Sequence, residues 1–416
     1  MVQRPKAVIA LAIVLLLAGL SVAAQVWEER QTAHFVISYT TSGPDAVSAS
    51  YVRLVEESLE TAYAQFVAAG FEVLDADILV DILYIADGSL GTEVLIEDEA
   101  GGWSPWIEIG SESVMREAIE GFYTSVTLED LVRSTCAHEV FHAFQDSADL
   151  VGTGDTSEIS WVEAHATAIQ EFVVPAANDY LEPALEFLLA PDGVNFFHRN
   201  YDAGIYWVYI LERFGIQAIH NVMRSSADYN GRHAIDHAYV PYDTTFFDTW
   251  VDFALALATN SVPDAEVLTT LVPEAEGSGW WTTNRATAQI PTLTYQGMWT
   301  GKALVIDTVN AGNKSEYEPY MADDTIGTPL RVAHSYGIDF LELENPDASP
   351  MIVEFTGDPE TTFALGVATS IDGTWSADVL DGESYTVPAG TELIRLVVTR
   401  TEPGTGAYRF VVKPGG

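Results

Sequence analysis

The chain has 416 residues, long enough for two or three compact domains, and 48% of them are apolar, which excludes an intrinsically disordered protein. Its 61 Asp and Glu against 18 Lys and Arg leave a formal net charge of −43, a surface that repels nucleic acid and anionic lipid. The acidity reads as a solvating surface rather than a diffuse binder of divalent cations, since no EF-hand or repeat-type calcium loop occurs, and the single cysteine, Cys136, rules out an internal disulfide.

Residues 1–24 have the make-up of an export signal. Arg4 and Lys6 are basic, 7–22 is apolar, and Val22, Ala23 and Ala24 give the small-residue end at which such a signal is cleaved. An uncleaved anchor is the alternative, because 7–24 approaches spanning length. Either way the bulk of the chain is expected outside the cytoplasm, secreted or at the cell surface, with no stable membrane insertion once the signal is removed.

From 25 to 262 the periodicities predict one mixed domain. Residues 34–39 alternate and are rich in strand formers. Residues 46–69 carry Val47, Tyr51, Leu54, Val55, Leu59, Ala62 and Phe66 at helical spacing, and 78–85 and 106–109 read as further strands. From Ser113 onward the period is helical, with helices expected at 128–144, 160–173, 181–189, 203–213, 216–224 and 245–259. Their aromatic residues, among them Trp161, Phe196, Tyr206, Trp207 and Trp250, are expected in the core. Residues 263–290, with Pro263, Pro273, Gly277 and Gly279, read as a linker. Residues 291–416 carry alternating runs at 338–343, 351–355, 393–398 and 408–412, punctuated by turn residues, and so read as a β-sandwich. The fold class is therefore α+β, a small mixed sheet with a helical lobe followed by an all-β domain.

The helix at 128–144 contains His138-Glu139-Val140-Phe141-His142. Positions i and i+4 share a helix face, so His138 and His142 can offer imidazole nitrogens to one metal ion. Glu139, a third of a turn round from His138, can reach a water beside that ion and take its proton. Val140, Phe141 and Phe144 fall on the opposite arc and would pack the helix into the core. Cys136 is expected as a small buried residue rather than a ligand or nucleophile.

Two His do not hold a catalytic metal, and a third protein ligand is required. Gln145 and Ala148 occupy the positions at which an extended His motif would carry Gly and His. The next helix offers Glu163, with His165 competing. Glu163 shares its face with Thr167 and Gln170, whereas His165 shares one with Trp161, Ile169 and Phe172, so Glu163 is preferred. Ala164, Ala166 and Ala168 let two helices approach closely.

These residues, His138-Glu139-Val140-Phe141-His142 and then Trp161-Val162-Glu163-Ala164-His165-Ala166, resemble the gluzincin metallopeptidases, and look most like secreted bacterial and archaeal metalloproteases with a β-rich tail. The likeness covers roughly residues 30–260 and implies a zincin-like domain holding one zinc ion on His138, His142 and Glu163, with Glu139 as general base. It departs from several gluzincins at Thr167, where they place an Asp that orients the first His. Tyr201-Asp202-Ala203-Gly204 is similar to the Tyr-Glu-Lys-Gly segment of the aminopeptidase branch, which implies Tyr201 as the oxyanion donor, with Tyr206 and His198 behind it. Residues 106–109 are a candidate edge strand for taking substrate backbone. The expected function is a secreted zinc endopeptidase acting on peptide or protein substrates, not on nucleic acid. An aminopeptidase, or a cell-surface binding protein with a structural metal, are the alternatives.

Overall fold

The computed structural model describes residues 25–416 apart from 73–76, 87, 98–102, 122–125, 148–160, 190, 192–194, 230, 266–267, 269–284, 290–303, 308–319, 322–330, 335, 346–347, 358, 360–361, 381, 401–404 and 416. The expected export signal and Asn313, a formal glycosylation acceptor, lie outside the described residues. Among those residues no helix is long and apolar enough to cross a membrane.

The N-terminal layer is a five-stranded sheet in the order β1-β2-β3-β5-β4, formed by β1 (Trp27–Gln31), β2 (Phe35–Thr40), β3 (Ile78–Leu83), β4 (Gly91–Glu97) and β5 (Trp103–Gly110). Strands β2, β3 and β5 run parallel, and the flanking pairs β1/β2 and β4/β5 are antiparallel. The expected edge role of residues 106–109 is therefore corrected. They lie in β5, bonded on both sides to β3 and β4, and the sheet ends at β4 instead.

Helix α1 (Ala49–Ala68) is capped by Ser48, whose hydroxyl accepts from the Tyr51 amide at 3.2 Å, and it buries Tyr51, Val52, Val55, Leu59, Ala62 and Phe66. After α2 (Glu112–Gly121) comes the motif helix α3 (Leu128–Ser147). Thr127 opens α3 as a reciprocal cap, accepting from the Asp130 amide at 3.1 Å and donating to its carboxylate at 2.6 Å. Nearly every side of α3 is buried, as expected of a helix enclosed by neighbours. Phe141 and Phe144 pack edge-on against Phe66 of α1, with ring centroids 5.4 and 5.6 Å apart. That contact fixes the helix rotation and turns His138 and His142 the other way.

The helical region continues through α4 (Trp161–Val173), α5 (Leu181–Leu189), α6 (Gly204–Phe214), α7 (Ile216–Ser226), α8 (Gly231–Tyr239) and α9 (Phe246–Ala258). Gly215 (φ 76°) allows the reversal between α6 and α7, and Thr245 with Asp248 forms a capping box on α9.

Among the described residues the C-terminal region contains strands and no helix. One sheet runs β13 (Thr374–Val379), β12 (Phe363–Ile371), β15 (Leu393–Arg400), β10 (Ile338–Glu344), β6 (Arg285–Gln289), and the other β14 (Ser384–Val387), β11 (Met351–Gly357), β16 (Thr405–Pro414), β7 (Leu304–Asp307), β8 (Tyr320–Met321), with β9 (Arg331–His334) also on β16. Arg285–Gln289, inside the stretch expected to be a linker, is itself strand β6, paired parallel to β10 (Ile338–Glu344). Leu341, Leu343, Leu365, Val367, Leu396 and Val398 meet Met351, Val353, Phe355, Phe410 and Val412 between the two sheets. The other face of the first sheet is buried too, because Ile338, Phe340, Ala368 and Val397 join the core of the helical region. Trp250 of α9 donates to Thr399 Oγ1 at 3.1 Å, and Arg395 reaches both Glu342 (2.8 Å) and the Ala258 carbonyl.

Candidate metal centre

Helices α3 and α4 pack side by side, and Ala164, Ala166 and Ala168 of α4 are fully buried. His138 Nε2 stands 3.1 Å from Glu163 Oε2, and His142 Nε2 stands 3.2 Å from the same oxygen. All three ligand atoms lie within 4.8 Å of one another. Ligand atoms around a tetrahedral divalent ion at the usual bond lengths are about 3.3–3.6 Å apart. The two His–Glu separations differ from that by a few tenths of an ångström and the third pair stays within 4.8 Å, so His138, His142 and Glu163 could together hold a metal ion.

A neighbouring amide favours the same reading. Gln145 Nε2 donates to the Val162 carbonyl at 3.0 Å, which settles how its amide faces, and its Oε1 accepts from His142 Nδ1 at 2.7 Å. That bond keeps the proton on Nδ1 and aims the Nε2 lone pair at the metal position. Gln145 was noted in the sequence only as filling a foreign Gly position. Thr167 Oγ1 donates to the Glu163 carbonyl at 2.9 Å and so is turned back onto its own helix.

Without an ion the three ligands hold one another electrostatically. Burial works against charge on His142, but the bond to Glu163 and the Glu139 carboxylate outweigh it and raise the imidazole to about 9. Burial likewise opposes Glu163, yet its bonds to both His hold it well below the usual carboxylate range.

Glu139, 5% exposed, sits between α3 and the start of β4, and burial pushes its carboxyl up despite the pull of both His. Gly91 makes that placement possible. A Cβ on Gly91 would stand 2.6 Å from Glu139 Oε1 and 2.7 Å from its Cγ, so only glycine lets the strand lie this close. Further along β4, Glu93 is pushed up by burial and by a hydrogen bond shared with Asp146 of α3, which ties the strand to the helix.

Tyr201 lies in a short 3₁₀ turn, Tyr201–Ala203, with its ring stacked on His138 at 5.8 Å between centroids. The turn is pinned by Asp202, which accepts from the Asn200 amide at 2.9 Å and pairs with Arg199 at 2.5 Å. Gly204 follows because a Cβ there would meet Thr167 Cγ2 at 2.8 Å, so the turn rests directly on α4.

The other candidates are placed elsewhere. Tyr206 is fully buried and bonds Thr249 Oγ1 at 2.7 Å, inside an aromatic cluster with Phe196, Phe246 and Trp250. His198 is exposed. His165 is fully buried between Trp161 and Trp207, and burial depresses it to about 3, so it is a neutral core residue. Cys136 is fully buried as expected, and burial pushes its thiol up.

Sequence reasoning missed Gln145, Gly91 and Asp179. Asp179 is buried beside Ser134 and His138; burial pushes its carboxyl up, while the Ser134 hydroxyl and the His138 imidazole pull it down. No model of a known protein family matches the chain, and comparison with curated proteins finds no match.

Proposed function

We propose that this chain is an exported zinc peptidase of the gluzincin type, most simply an endopeptidase, with a zincin-like N-terminal region. The observation that carries this reading is the convergence of His138, His142 and Glu163, from two helices, with the buried Glu139 carboxylate beside them. A purely structural ion needs no such carboxylate, which argues against a binding protein.

Zinc at this site would supply a Lewis acid for a peptide carbonyl and would acidify a water to near neutral pKa. Glu139 is then the proton acceptor. The proton it gains can pass to the leaving amine. Tyr201, stacked beside His138, offers its hydroxyl to the oxygen on which negative charge develops. Strand β4 ends the sheet above the site and exposes Val94 and Leu95, which suits an extended peptide adding as a further strand. The acidic surface suits export and disfavours nucleic acid as a partner.

The test is Glu139→Gln. That variant should keep one zinc per chain and lose hydrolysis of a denatured protein by about 10²–10⁴-fold, the usual contribution of a general base. Undiminished hydrolysis would sink the assignment.

A further inference from the structure

We propose that the buried ion pair between Arg199 and Asp202 holds Tyr201 in position for the reaction, so that both are positioning residues and act only through the Tyr201 hydroxyl. This rests on the peptidase reading above and goes beyond it by naming what aims the oxyanion donor.

Tyr201 lines the cavity of about 420 Å³ that His138 and Glu139 also line, whereas neither Arg199 nor Asp202 lines it. Tyr201 is 45% exposed, so packing covers only part of its side chain. A hydroxyl that must meet charge as it develops has to be held in place beforehand. The backbone of its turn is where that hold is built.

The Asp202 carboxylate closes the turn around Tyr201. Its Oδ1 accepts from the amide of Asn200, the residue before Tyr201, at 2.9 Å, and its Oδ2 accepts from Arg199 Nη1 at 2.5 Å. Both oxygens are thus committed to the chain that leads into Tyr201. The Ala203 amide donates to the Asn200 carbonyl at 3.0 Å and completes the loop. Arg199 anchors it in the core: its amide donates to the Phe196 carbonyl at 3.1 Å, and its guanidinium lies 4.5 Å over the Phe187 ring of α5. On the far side Gly204 rests against Thr167 of α4, the helix that supplies Glu163.

The Arg199 side chain is 2% exposed and that of Asp202 13%. Charges buried this far are generally no more stabilising than well-packed apolar side chains of the same volume. What the pair does provide is direction, because a planar guanidinium on a carboxylate fixes an orientation that apolar contacts leave loose.

The test separates holding Tyr201 from holding the fold. Exchanging the pair together, Arg199→Met with Asp202→Leu, leaves no charge unpaired, so the melting temperature should stay within about 5 °C of wild type. Hydrolysis of fluorescein-labelled casein should nevertheless fall by about tenfold or more in kcat, with KM changed by less than about twofold. Tyr201→Phe alone should lose about 10²-fold. Added to Tyr201→Phe, the exchange should cost less than about twofold further, because the group it positions is already gone. Arg199→Lys, which keeps the charge and loses the planar fork, should show part of the same loss, again only with Tyr201 present. In the zinc-free protein, 3-fluorotyrosine at position 201 should give one narrow fluorine resonance that broadens or splits on the exchange, a reading that needs no turnover. An equal fall in kcat with and without the Tyr201 hydroxyl, or an exchange that leaves kcat whole, overturns the positioning role. Full activity in Tyr201→Phe also overturns it and leaves Glu139-dependent hydrolysis standing. No hydrolysis of casein by the zinc-loaded wild type overturns the peptidase reading and this inference with it.

Discussion

At the scale of single residues, the site depends on which proton each imidazole keeps. The H-E-x-x-H spacing was legible because helix geometry alone puts positions i and i+4 on one face. Glu163 was legible because its helix neighbours divide into a polar and an apolar face, and the structure puts His165 into the apolar one. Gln145 was not legible. Its role needs the Val162 carbonyl, which comes from a different helix and sets the direction of the amide. The charge state of His142 gives a pH dependence with a definite sign. In the ion-free protein the imidazole is raised to about 9 from an ordinary 6.5. Its contribution to stability is therefore complete below pH 6.5 and is lost as pH rises through about 9. Metal binding must displace that proton, so its dependence runs the opposite way. Between pH 7 and 9 the apparent zinc affinity should rise by about tenfold per pH unit, measured by competition with a chelator of known affinity. An affinity flat across that range would contradict the protonated, Glu163-bonded imidazole.

Among the elements, the strands and helices with strong periodicity were readable, and the partners of each strand were not. Residues 106–109 alternate cleanly, but nothing local reveals that β4 pairs along their outer side. Strand β4 itself escaped notice because Gly91 opens it and Glu93 interrupts its apolar run. Both exceptions belong to the site, Gly91 by yielding space to Glu139 and Glu93 by bonding Asp146. Helix α8 was missed for a related reason, since it is short and begins at Gly231 (φ 49°). Gly91→Ala tests the contact between strand and helix. The added methyl must push the Glu139 carboxylate or β4 aside, so activity should drop by about tenfold or more, the price of roughly an ångström of misplacement, with zinc content unchanged. Wild-type turnover in Gly91→Ala would mean that the strand does not confine Glu139.

Over the whole molecule, the sequence reads as two domains joined by a linker; the strand region keeps a core of its own between its sheets, and the outer face of one of those sheets packs into the core of the helical region. The reason is burial on both faces. In β12 (Phe363–Ile371) and β15 (Leu393–Arg400) nearly every residue is buried, so no in–out alternation marks where one region ends. Gly366 of β12 lies so close to α9 that a Cβ there would meet Leu255 Cδ2 at 2.6 Å. Calorimetry should accordingly find a single unfolding transition for the helical and strand regions together. Two well-separated transitions would mean that the Trp250–Thr399 and Arg395–Ala258 contacts carry little stability.

The central claim, three side chains from two helices around one ion, is tested most directly by X-ray absorption at the zinc edge of the purified, zinc-loaded protein. The account predicts only nitrogen and oxygen neighbours at about 2.0–2.2 Å, with outer-shell scattering from two imidazoles. A sulfur neighbour, a third imidazole, or protein that takes up no zinc would contradict it.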